Sequence, residues 1–75
     1  MNQEEIDRLW FSLSNVPGAL FKFDDAVDII TGEHKGKGGT VLSLLLLEPE
    51  PVYMIELGSG EGDVKIKEAN LKASE

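Results

Sequence analysis

The sequence predicts a mainly β domain, a small barrel of four to five antiparallel strands preceded by one N-terminal helix. Two observations carry this reading. The apolar period is helical as far as Leu13 and close to two from Ala19 onward. Glycine and proline clusters then cut the second region into short segments, as turns cut a meander. A chain of 75 residues makes one domain, expected over residues 1–75 with the helix at about 2–13 and the barrel at about 19–72.

The helix is read from Asn2 to Leu13. Asn2 is its expected N-cap, with Glu5 at the capping-box spacing, and Glu4, Glu5 and Asp7 place negative charge at the positive end of the helix dipole. Ile6, Leu9, Trp10 and Leu13 fall at i, i+3, i+4 and i+7 and form one apolar stripe that must pack on something. "SNVPG" stops the helix, because the residue before Pro17 is pushed out of the α region. Short strands follow around Val27 and Ile29, over "GGTVLSLLLL", over Val52 to Leu57 and over Asp63 to Glu68. "EPEP" breaks the chain between the second and third, and "GSGEG" is a hairpin turn between the third and fourth. Leu71 is expected to cap one end of the barrel, and closure would remove the exposed sheet edges. Val27, Ile29, Val41, Tyr53, Ile55, Leu57, Val64, Ile66 and Leu71 are the expected interior, with the helix covering one open end or side.

Composition narrows the function. With no cysteine there is no thiolate nucleophile, disulfide or cysteine-ligated zinc. The longest apolar run, Leu44 to Leu47, is far short of the roughly 20 residues that span a bilayer. No membrane association is expected, and the acidic N-terminus lacks the basic start of a secretory signal, so the expected location is cytoplasmic. The net charge of −7 sets up a field that repels polyanions, so RNA binding would need a concentrated basic patch.

From Phe23 to Val41 the residues "FDDAVDIITGEHKGKGGTV" resemble the KOW-type SH3-like barrel pattern, in which a glycine-bracketed basic loop joins two strands. Gly32, Gly36, Gly39 and Val41 hold the matching spacing, and Phe23 and Asp25 match the lead-in, while Asp24 stands where glycine is frequent. Gly32 and Gly36 are expected to take positive φ and Gly39 to permit a close backbone approach. "VYMIELGSGEGDVKIKEANL" is similar to the remaining strands of such a barrel. The resemblance implies docking on RNA or a ribonucleoprotein through His34, Lys35, Lys37 and Lys22. Other SH3-like barrels of this size resemble accessory subunits of photosynthetic electron-transfer complexes, which receive an acidic carrier on a basic face. The acidic balance of this chain opposes both roles, and the strands supply no arginine run or aromatic platform for bases.

The chemistry-bearing residues have plain alternatives. His34 is a lone histidine in a turn and a poor metal site, and no cofactor is expected. Asp24, Asp25 and Asp28 lack the spacing of a calcium loop and suit a turn and a strand edge. The serines have no base other than His34, so no catalytic residue is assigned and the chain is read as a non-enzyme. "GSGEG" lacks the lysine and following helix of a phosphate loop. Trp10 is read first as packing the helix onto the barrel, and with Phe11 as a candidate contact. Leu44 to Leu47 place apolar side chains on both faces of one strand, and Leu44 and Leu46 are candidates for a face covered by another chain. The reading is a protein-interaction module that uses either its acidic surface or the outward face of the Leu44 to Leu47 strand, and whose partner is another protein or a second copy of itself.

Overall fold

The computed structural model describes residues 2–74. Helix α1 spans Gln3–Phe11 and begins at its expected cap, where the Asn2 side chain accepts a 2.8 Å hydrogen bond from the Glu5 amide. It closes earlier than the apolar stripe implied. The Ser14 amide donates to the Leu9 carbonyl and the Leu13 amide to the Trp10 carbonyl, with Leu13 at φ 63°. This is the left-handed helix ending that glycine usually supplies. Ile6 and Trp10 are buried and Leu9 packs against the core, but Leu13 turns away and is exposed, so it leaves the expected stripe. A leucine in the left-handed region is strained and here has little burial to lose. Leu13→Gly is therefore expected to raise stability by up to about 1 kcal/mol, read as a higher urea midpoint.

Five strands form one antiparallel sheet: β1 (Ala26–Ile29), β2 (Gly38–Leu46), β3 (Val52–Leu57), β4 (Asp63–Lys67) and β5 (Leu71–Ala73), in the order β4-β3-β2-β1-β5. The fold is thus mainly β, as the apolar periodicity predicted. The sheet is not a closed barrel, which corrects the expected closure, since β4 and β5 lie at opposite ends of the strand order. A single 3₁₀ turn, Glu68–Asn70, carries the chain from β4 across to β1, where three-residue β5 pairs Leu71 with Ile29. Leu71 therefore opens a fifth strand. The buried face of the sheet packs with Ile6 and Trp10 of α1 and with Val16 and Phe21 from the segment that follows it.

Of the expected interior, Val27, Ile29, Val41, Tyr53, Ile55, Leu57, Ile66 and Leu71 are buried, and Val64 on edge strand β4 is partly so. The glycines of the resemblance take their expected conformations, with Gly32 at φ 91° and Gly36 at φ 92°. Gly39 lets β2 lie tight on β3, because a Cβ there would stand 2.5 Å from the Glu56 carbonyl oxygen and 2.6 Å from Ile55 Cγ2. Asp24, where the family pattern favours glycine, takes φ 72°. The neighbouring Asp25 carboxylate accepts the Lys22 amide at 2.9 Å, and this closes the turn before β1.

Candidate functional site

Trp10 belongs to the core. The indole is 3% exposed, its ring centroid stands 6.2 Å from that of Tyr53, and its Nε1 donates to the Leu42 carbonyl at 3.2 Å. It fastens α1 to β2 and is withdrawn from any surface contact. The adjacent Phe11 is 72% exposed on the outer side of the helix.

Beneath Trp10, the Tyr53 hydroxyl donates to Glu68 Oε2 at 2.6 Å and accepts the Phe21 amide at 3.4 Å. The same carboxylate oxygen accepts the Leu20 amide at 2.8 Å. Burial, and then the hydrogen bond to Glu68, push the Tyr53 hydroxyl well above its ordinary value near 10. The folded state keeps the proton that the unfolded chain releases near pH 10, so stability is complete below that pH and falls as pH rises past it. Tyr53 is the sole tyrosine, so absorbance at the phenolate band reads it alone. Phenolate is expected to appear only together with loss of the folded circular dichroism signal. A transition near the ordinary tyrosine pKa with the fold intact contradicts this.

The leucine run is sorted by two bulges in β2. Its register on β3 pairs Val41 with Ile55, Ser43 with Met54, Leu44 with Tyr53 and Leu46 with Val52, leaving Leu42 and Leu45 as the extra residues. Leu44, opposite buried Tyr53, therefore faces the core, as does Leu47, and both pack against it. Leu45 and Leu46 are 43% and 47% exposed on the outer face. The candidate Leu44 is accordingly replaced by Leu45, while Leu46 keeps its place. On β3, Val52 and Met54 alternate with buried Tyr53 and Ile55 and so stand on that same outer face. Across the β4 pairing they lie beside Lys67 and Lys65, respectively. The result is an apolar strip of Leu45, Leu46, Val52 and Met54 with lysines on one flank. Periodicity missed this grouping because a bulge shifts the face of every later residue, and nothing in four consecutive leucines marks where it falls.

The basic loop is less basic than its composition. Lys37 Nζ lies 2.7 Å from Glu61 Oε2, tying the β1–β2 loop to the β3–β4 turn, where Ser59 also donates to Glu61. Lys37 and Ser59 together hold the Glu61 carboxyl below its ordinary range. His34 is half-buried, and its carbonyl accepts the Lys37 amide. Lys35 lines a shallow cleft of about 390 Å³ with Lys72, but Asp28 lines it as well. Lys22 is paired with Asp25 at 3.1 Å. The structure thus gathers Lys35 and Lys72 beside Asp28 and pairs Lys37 and Lys22 with carboxylates.

No protein-family model matches the chain, and a search of curated proteins finds no match. Among the described residues no helix is long and apolar enough to cross a membrane.

Proposed function

We propose that this chain is a non-enzymatic protein-interaction module on an SH3-like scaffold, and that it meets its partner through the outer face of β2 and β3. One observation carries the reading: Leu45 and Leu46 stand exposed beside Val52 and Met54 on a rigid, hydrogen-bonded sheet face. Adjacent apolar side chains held on regular strands suit a protein surface, since their burial stabilises a complex without ordering a loop. The strand order and the 3₁₀ turn before β5 support the SH3-like scaffold. The RNA-docking reading loses support from the Lys37–Glu61 and Lys22–Asp25 pairs, which leave Lys35 as its main cation.

The test is affinity capture from the native host with the wild-type chain and two variants, followed by titration of the purified partner. Leu46→Asp is expected to weaken partner binding by at least about tenfold, while its melting temperature stays within a few degrees of wild type, because the site is already half exposed. Lys35→Glu is expected to bind normally. Salt-dependent RNA binding that Lys35→Glu removes would overturn the reading.

A further inference from the structure

The free edge of β4 carries a charge pattern that complements itself. β4 bonds to β3 on one side only and ends the sheet. The Leu57 amide donates to the Gly62 carbonyl and the Glu68 amide to the Pro51 carbonyl, with Ile55 opposite Val64 and Tyr53 opposite Ile66 between them. Antiparallel pairs alternate between bonded and non-bonded, so Val64 and Ile66 spend their backbone groups on β3. The amides and carbonyls of Asp63, Lys65 and Lys67 therefore point outward from the edge. Their side chains are exposed, in the sequence minus, plus, plus. Among the described residues Lys65 has no ion-pair partner, and Val64 is only partly buried because nothing pairs beyond it.

We propose that this edge is a second interface, at which two copies of the chain pair antiparallel about a two-fold axis through Val64, with Asp63 of each copy opposite Lys65 of the other. Outward-pointing backbone groups must meet outward-pointing groups, which restricts an added antiparallel β4 to a few registers. A two-fold at Lys65 would set that lysine against itself, and an in-register parallel pairing would set every charge against its like. The two-fold at Val64 makes two Asp63–Lys65 pairs and no like-charge pair within the strands, so the charges choose the register. On the inner face Val64 meets Val64 in a non-bonded pair, the position where side chains approach closest, and the exposed part of the two valines is covered. Joining the copies in this way extends the sheet and presents both apolar strips on one side of the assembly. Lys65 stands beside Met54 at the flank of the leucine strip, but the leucines take no part in this pairing, which does not depend on what binds them.

Sedimentation over a concentration series into the millimolar range tests the register with the purified chain. Wild type is expected to shift reversibly from monomer to dimer. Asp63→Lys and Lys65→Asp should each remain monomeric, and an equimolar mixture of the two should dimerise, because each variant supplies the charges the other lacks. Since the chain has no cysteine, Val64→Cys gives an independent readout. Two non-bonded partners lie about 4.5 Å apart at Cα, within disulfide reach, so mild oxidation should link the copies quickly. A wild type that stays monomeric throughout overturns the proposal. So does a dimer that survives both single charge reversals, or a Val64→Cys chain that crosslinks no faster than Glu56→Cys.

Discussion

Replacing Gly39 with alanine is expected to destabilise the domain by about 3 kcal/mol, more than half of what a chain of this size can spare at the lower end of its range. The added Cβ meets the Glu56 carbonyl oxygen at 2.5 Å and Ile55 Cγ2 at 2.6 Å, and the first of these is backbone that cannot rotate aside. Relief requires β2 to lift off β3 at its first register pair, Gly39 with Leu57. Gly38→Ala is the control. Its Cβ comes no nearer than 3.3 Å, to a side-chain oxygen of Asp28, and its effect should be markedly smaller. Urea unfolding of the two variants followed by circular dichroism separates them, and equal midpoints would show that the close strand approach is not what Gly39 provides.

Trp10→Ala is expected to be at least as damaging, at about 3–5 kcal/mol. It removes the ring that packs on Tyr53, leaves the Leu42 carbonyl without its donor and releases α1 from the open side of the sheet. For a domain of this length such a loss lowers the melting temperature by roughly 15–30 °C. Trp10→Phe keeps a ring against Tyr53 but still strands the Leu42 carbonyl, so its stability should fall between wild type and alanine. A Trp10→Ala chain that melts normally while losing its partner would return the indole to the binding surface.

These two residues show what could be read from the sequence and what could not. The helix cap at Asn2, four of the strands and eight of the nine expected interior residues follow from side-chain period and turn chemistry, which are local. The need for a close approach at Gly39 was visible in the glycine pattern of the loop. Strand β5 was not visible, because three residues with a single buried side chain are held by backbone pairing to β1, some forty residues away in sequence. Barrel closure was expected from the benefit of hiding edges, yet the 3₁₀ turn takes the chain away from β4 and leaves that edge open. Leu13 satisfied the helical period but occupies the left-handed position that ends the helix.

The candidate site was legible to the level of the strand and no finer. That the leucine run had to show one side outward followed from its having apolar residues on both faces. Which leucines those are depends on the bulge at Leu45, which puts Leu44 and Leu47 inside and Leu45 and Leu46 outside. The charge of the basic loop was equally out of reach, since Glu61 lies 24 residues from Lys37 and only the fold brings them together.

The most direct test of the leucine face places a photo-activated crosslinking residue at position 46 in one chain and at position 35 in another, within the native host. The interaction reading predicts a discrete protein adduct from position 46 and none of comparable yield from position 35. Adducts to RNA from position 35, with position 46 silent, would contradict it and return the function to the basic loop.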